Sequence, residues 1–262
     1  MTNRPVAEPT TMRTNGGLNL AGMHSGAVVI VTGAAGGIGA AIVDAFLQAD
    51  AHVIATDIAE PTEIGGAQFL EADLSTAAGA GRVADLALGQ HGRIDVLVNN
   101  AGGGVIRPFL EHDEESMHAT IDRNLWTTVH CCRAVLPAMV EQSYGRIVNI
   151  GAESVRNGLW EHAMYNGAKG GVHGLTTGLA REFGRAGITV NTVAPSGVNT
   201  PRIVAGKRLG SPDLAERAGA LSVTGGRVST EELASMVCYL ALPLNQHITG
   251  QVISINGGSS ML

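Results

Sequence analysis

The amino-acid sequence predicts an α/β protein: one domain built on a doubly wound parallel sheet with helices on both faces. Three observations carry this. Short β-rich runs recur that are apolar at consecutive rather than alternate positions, as strands buried on both faces require. Helical patterns separate these runs. The 36 glycines suit tight strand-to-helix turns, and a hydrophobic content of 45% supplies a large core.

The elements follow in order. Residues 27–32 (AVVIVT) read as a buried strand, and 40–49 as a helix with Ile42, Val43, Phe46 and Leu47 at helical spacing. Strands are expected at 52–56 (HVIAT) and 68–70, helical character at 82–88 and a buried strand at 96–99 (VLVN). One long helix is predicted over 117–139. A strand at 146–150, a helix at 170–183 and a strand at 189–193 follow, then a helix at 231–240 and a last strand at 252–255. The stretch 201–228 breaks the rhythm: it is polar, has five glycines and weak periodicity, and reads as a substrate lid. No linker or repeat divides residues 26–262. Residues 1–25 carry prolines, charges and a Gly-Gly pair without the apolar stretch of a secretory signal, and are expected to form a weakly ordered extension.

Composition narrows the function classes. The net charge of −6, with no basic cluster, argues against nucleic-acid and anionic-membrane partners. No run reaches the roughly 18 apolar residues of a membrane span. Cys131 and Cys132 are adjacent, poor geometry for a disulfide or metal site; with Cys238 they read as buried small hydrophobes in a reducing cytoplasm. The nine histidines form no ligand-like constellation, so no catalytic metal is expected.

Two segments carry chemistry. Directly after the first strand comes Thr32-Gly33-Ala34-Ala35-Gly36-Gly37-Ile38-Gly39, then a helix. Glycines let the backbone approach a pyrophosphate, and a helix N-terminus offers free N–H groups; a simple tight turn is the competing reading. Asp57 ends the second strand 24 residues after Gly33, where a carboxylate can accept from a ribose diol and would repel a 2′-phosphate. No Arg or Lys lies in 34–36 or at Ile58, so NAD is favoured over NADP; Asp57 as a turn residue is the alternative. The second segment is Tyr165-Asn-Gly-Ala-Lys169. Fifteen of the 17 Lys+Arg positions are arginine, yet lysine stands four residues after a tyrosine. On a helix the two share a face, and a cation there favours the phenolate and lowers the tyrosine pKa. A surface Tyr/Lys pair is the bland alternative.

The pattern Thr-Gly-x-x-x-Gly-x-Gly, with Asn99-Asn100-Ala101-Gly102 and Tyr165-x-x-x-Lys169, resembles the short-chain dehydrogenase/reductase family from about residue 27 to the C-terminus. The resemblance implies a Rossmann-type fold, with Tyr165 as general acid/base and Lys169 binding the nicotinamide ribose. It implies that Asn124 holds a water relay to that lysine. Asp73-Leu74 resembles the pair that meets the adenine ring, and Pro195, Val198 and Thr200 the segment that holds the carboxamide. Residues 248–258 resemble the closing strand. More narrowly, the segments at 98–104, 131–137 and 168–172 resemble bacterial cis-dihydrodiol dehydrogenases of aromatic-acid breakdown. A homotetramer is expected mainly from the family, supported by apolar residues on 117–139 and 170–183 beyond one core-facing stripe.

The sequence departs from the pattern at the family's catalytic serine. Thirteen positions before Tyr165 stands Ala152, which cannot bond a substrate oxygen. Ser154, Ser196 (where the family has glycine) or a water could replace the hydroxyl. The expectation is that Ser154 points toward the Tyr165 phenol, directly or through one water, with a surface or turn serine as the alternative; Glu153 reads as solvent-facing, with a pocket acid as its alternative. Trp160 is a candidate cavity wall, with packing or subunit contact as its alternative. The expected function is hydride transfer between NAD and a secondary alcohol, ketone or cyclic diol. The rival is an NAD(H)-binding sensor or scaffold that lost chemistry with its serine.

Overall fold

A computed structural model describes residues 22–61, 63–205, 210–211 and 213–261. The strands are β1 (Val28–Thr32), β2 (His52–Asp57), β3 (Gln68–Glu71), β4 (Val96–Asn99), β5 (Gly145–Ile150), β6 (Ile188–Pro195) and β7 (Val252–Ile255). The helices are α1 (Gly37–Gln48), α2 (Ala77–His91), α3 (Glu114–Ile121), α4 (Thr127–Glu141), α5 (Ser154–Asn157), α6 (Ala163–Phe183), α7 (Pro201–Val204), α8 (Leu214–Gly219) and α9 (Thr230–Ala241). All strand pairs are parallel, in the order β3-β2-β1-β4-β5-β6-β7.

The expected doubly wound sheet is therefore present. Its two faces bury separate cores. On one, Ile42, Val43 and Phe46 of α1 pack with Leu233, Val237 and Leu240 of α9 against Val29 and Val31. On the other, Val83 and Ala87 of α2 meet Val135 and Met139 of α4 over Ile30 and Leu97. Each large aliphatic side chain so buried contributes about 1.5–3 kcal/mol. Chain order reverses at β1, which is flanked by β2 and β4, and this opens a crevice at the C-terminal strand ends.

Three boundaries differ from expectation. The helix expected over 117–139 is interrupted: α3 and α4 are joined by a π-helical turn, Asp122–Trp126, centred on Asn124. The helix expected from 170 begins at Ala163 and so includes Tyr165. The expected extension 1–25 lies outside the described residues up to 21. His24, by contrast, is buried, with its amide donating to Ala49 O at 3.1 Å. Within 201–228, α7 and α8 give helical order to part of the expected lid; 206–209 and 212 are outside the described residues.

Candidate active site

At the crevice the chain leaves β1 and turns through Gly33, whose φ of +66° an L side chain rarely adopts. A Cβ there would stand 2.7 Å from Ala101 Cα, and one on Gly39 would collide with the Gly33 carbonyl. These two glycines let the loop fold against β4 and α1. Gly36 is different: only Gly33 O, at 3.7 Å, lies near its missing Cβ, so its outer side is open. Gly36 precedes α1 without a side-chain cap, which leaves the first amides of the helix, Gly37, Ile38 and Gly39, available to an anion. Gly37 also faces α7: its Cβ would lie 2.5 Å from Pro201 Cδ and 3.2 Å from Thr200 Cβ.

Asp57 closes this cradle. Its carboxylate accepts from Ala35 N at 3.0 Å and Ile58 N at 2.7 Å, tying the end of β2 to the glycine turn. Ile58 projects into solvent at the rim. Asn100 ties the glycine turn to β4: its Nδ2 donates to Thr32 O at 3.0 Å and Gly33 O at 2.9 Å. Ala101 N donates to Thr32 Oγ1 at 2.9 Å. Asp73 accepts from Ser75 N and Oγ, and Leu74 is buried in the core. Pro195 ends β6, Val198 bridges to Val228, and Thr200 precedes α7. An open glycine turn, uncapped amides and a carboxylate at the rim fit a dinucleotide.

Tyr165, Lys169 and Asn124 come together behind Gly102–Gly104. A Cβ on Gly102 would stand 2.7 Å from Asn124 Oδ1 and 3.4 Å from Lys169 Nζ, and one on Gly104 would stand 2.7 Å from Tyr165 Cδ2. Lys169, only 4% exposed, donates to Ile150 O at 2.8 Å, and its Nζ lies 5.9 Å from the Tyr165 ring centroid. Burial pushes the Tyr165 phenol up to about 12 and the Lys169 ammonium down to about 8. The expected lowering of the tyrosine by its lysine is thus outweighed in the protein alone, because desolvation penalises both charged forms. Asn124 is fully buried at the π turn. Such turns widen a helix locally and often mark functional sites.

The strand end at 151–155 corrects one expectation. Glu153 does not face solvent: it is 0% exposed, its Oε1 accepts from Ser260 Oγ, and Oε2 has no partner. Its amide donates to Pro195 O at 2.9 Å, which holds the loop beneath the end of β6 and turns the side chain toward the C-terminal segment. Ala152 is buried. Ser154 is 8% exposed and its hydroxyl lacks a partner among the described residues, so it is shielded from solvent but makes no direct bond to the phenol. Ser196 is half-buried.

The segment before α6 meets the stretch 201–228 expected to form the lid. Trp160 is 47% exposed, and the Arg217 guanidinium of α8 lies 3.7 Å from its ring centroid. Glu161, at a φ of 63°, accepts from Ser211 N at 2.9 Å and also from Ser211 Oγ. His162 stands edge-on to Tyr165 with ring centroids 5.8 Å apart.

Several residues packed beside the site were not singled out from the sequence. His173 follows Tyr165 and Lys169 on the same face of α6, and that i, i+4, i+8 spacing was the available signal. Its Nε2 lies 3.5 Å from Ala152 N, and burial, with Arg156 and Lys169 nearby, pushes its pKa down to about 4. Beneath the site, Asn99 Nδ2 donates to Asn149 Oδ1 at 2.8 Å, and Asn149 Nδ2 to Thr176 Oγ1 at 2.9 Å. Cys131, Cys132 and Cys238 are free and buried, as expected, and burial raises each thiol. Among the described residues, no three His, Cys, Asp or Glu converge as a metal site, and no helix is long and apolar enough to cross a membrane.

Comparison with known proteins places the chain among oxidoreductases of one family. A family model described as enoyl-(acyl carrier protein) reductase matches residues 33–260. The chain is 53% identical over 248 residues to a 2,3-dihydroxy-2,3-dihydro-p-cumate dehydrogenase of Pseudomonas putida, covering 90% of this chain and 95% of that protein. It is 35% identical to a 1,6-dihydroxycyclohexa-2,4-diene-1-carboxylate dehydrogenase of Acinetobacter baylyi, covering 88% and 95% of the two chains. The ligand-free structure of an aldohexose dehydrogenase of Thermoplasma acidophilum superposes with a TM-score of 0.82 at 27% identity, covering 91% and 95%.

Proposed function

The chain belongs to the short-chain dehydrogenase/reductase family, and from that premise we propose that it is an NAD-dependent dehydrogenase of a carboxylated cyclic cis-diol. The convergence of Tyr165, Lys169 and Asn124 at the crevice carries the reading, and the named substrates of the two relatives supply the class. NAD, when bound, accepts the hydride from the carbinol carbon.

The protein's part is positioning and proton transfer. The Tyr165 phenolate takes the hydroxyl proton as the carbinol becomes a ketone. Lys169, held by Ile150 O, keeps a cation beside that oxygen and within reach of a nicotinamide ribose. Asn124 fixes the Gly103 backbone and, as in the family, would hold the water that relays protons to Lys169. The amides of 37–39 would hold a pyrophosphate and Asp57 would accept from a ribose diol, a reading that favours NAD over NADP. Asp73, Leu74, Asn100, Ala101 and Gly102 would border the adenine and ribose, and Pro195, Val198 and Thr200 the carboxamide. Buried thiols suit a reducing cytoplasm. A groove of about 600 Å³ between α4 and α6, lined by Val129, Leu136, Val140, Leu175, Leu179 and Phe183, supports assembly through these helices into a homo-oligomer, with a tetramer expected.

The test is NADH formation on mixing the protein and NAD with a panel of cyclic alcohols and cis-dihydrodiols. Tyr165→Phe should lower kcat by roughly 10²-fold or more while leaving NAD binding nearly intact. Binding of NAD without turnover of any diol would favour the second reading, a cofactor sensor or scaffold. Buried Ala152, where a hydroxyl is expected, keeps that reading in play.

A further inference from the structure

We propose that Arg217, on lid helix α8, recognises the carboxylate of the substrate; this rests on the reading of the protein as a dehydrogenase of carboxylated diols. The lid residues around it connect step by step to Tyr165. A Cβ on Gly104 would stand 2.7 Å from Tyr165 Cδ2 and 3.3 Å from Ile106 Cδ1. A Cβ on Gly210 of the lid would stand 3.1 Å from Ile106 Cγ2 and 2.6 Å from Glu161 Oε2. Ile106 therefore lies between the catalytic tyrosine and the lid, and Glu161 latches the lid through Ser211. On the same rim the Arg217 guanidinium lies over the ring of Trp160, five residues before Tyr165.

The state of this arginine suits an anion. Among the described residues its ion partner is Asp213 at 3.6 Å, with side chains 38% and 60% exposed, a contact that solvent screens and that leaves most guanidinium donors uncommitted among those residues. Three other arginines are engaged by the protein itself. Arg156 donates to Ser254 Oγ and Val252 O, Arg93 pairs with Asp95, and Arg146 donates to four backbone carbonyls. Stacking on an indole holds the guanidinium plane while leaving its edge to pair with both oxygens of a carboxylate. A chain of net charge −6 repels an anionic substrate at long range, so a cation at the mouth is where local attraction is needed.

The experiment compares a carboxylated cis-dihydrodiol with the unsubstituted cis-dihydrodiol. It also measures binding of 2,3-dihydroxybenzoate and of catechol to the NADH-loaded protein by calorimetry. In the unaltered protein the carboxylated member of each pair should be preferred. Arg217→Met should lower that preference, as a ratio of kcat/KM and of Kd, by about 10- to 100-fold, mainly through KM, the scale of a lost charge-assisted pair. Arg217→Lys should restore only part of it. Arg82→Met, with the same charge change on α2, should leave the ratio unchanged. Equal losses on charged and uncharged ligands would make Arg217 a packing residue and overturn the proposal. So would the absence of any preference or binding, or an equal effect from Arg107→Met. Arg217-dependent binding of 2,3-dihydroxybenzoate without oxidation of any diol would uphold the carboxylate site and instead sink the dehydrogenase reading.

Discussion

Asn124 and Gly103 bond each other twice: Asn124 Nδ2 donates to Gly103 O at 3.1 Å, and Gly103 N donates to Asn124 Oδ1 at 3.2 Å. Nδ2 also donates to Thr120 O at 2.8 Å, one turn back. A single buried amide thus fixes the π turn and the loop that lies against Lys169 and Tyr165.

Asn124→Ala should therefore cost stability as well as rate. It leaves the Gly103 N–H and two carbonyls without partners, a loss of about 2–4 kcal/mol. The urea midpoint should fall with an unchanged m-value. Asn124→Asp separates the two halves of the contact, since it keeps an acceptor for Gly103 N but turns lone pairs toward two carbonyls. It should be no better than alanine. Rescue by aspartate would show that the donor side is dispensable.

Asp57 predicts cofactor choice. NAD should bind at least about ten-fold more tightly than NADP, about 1.4 kcal/mol, because a 2′-phosphate would sit near the like charge of the Asp57 carboxylate. Asp57→Ala should narrow the gap mainly by weakening NAD. The carboxylate also holds Ala35 N, so the glycine turn should loosen with it. Equal affinity for both cofactors in the unaltered protein would count against this role.

The sheet, the glycine turn and the Tyr165–Lys169 pair were legible because each is a local pattern: consecutive apolar residues, glycines after a strand, an i, i+4 spacing. The parts that were not legible are long-range. Glu153 is buried by Ser260, 107 residues away, and no local pattern separates such a glutamate from a solvent-facing one. The π turn at Asn124 depends on the loop it grips, and Arg217 reaches Trp160 only once α8 has packed beside the segment before α6. The pKa of Tyr165 depends on how deeply the phenol is enclosed, which residue types alone do not state.

His173 predicts an acid sensitivity. Its folded pKa of about 4 lies below the ordinary 6.5, so the unfolded chain binds more protons between those values. Stability from this residue is full above about pH 6.5 and is lost as pH falls toward 4. Allowing for partial exposure, the loss is about 1–2 kcal/mol. The fall in Tm from pH 6.5 to 4 should be shallower in His173→Gln. An identical slope would show that His173 is not held neutral.

The last prediction concerns the hydroxyl missing at Ala152. A lost donor at a developing oxyanion costs about 2.7–4 kcal/mol in comparable sites, so an active enzyme needs a replacement. Ser154 is enclosed and its hydroxyl has no partner, the condition of a donor that awaits substrate or a bridging water. The burial of Glu153 on the side of Ser260 is compatible with this, because that carboxylate is turned toward the C-terminal segment. Ser196, at the end of β6, presents the competing hydroxyl. Ser154→Ala should reduce kcat/KM on a verified diol by about 10²-fold, and Ser196→Gly by less than about three-fold. A small loss for Ser154→Ala with a large one for Ser196→Gly would move the role to Ser196. Full activity in both variants and in the double variant would assign the bond to water alone.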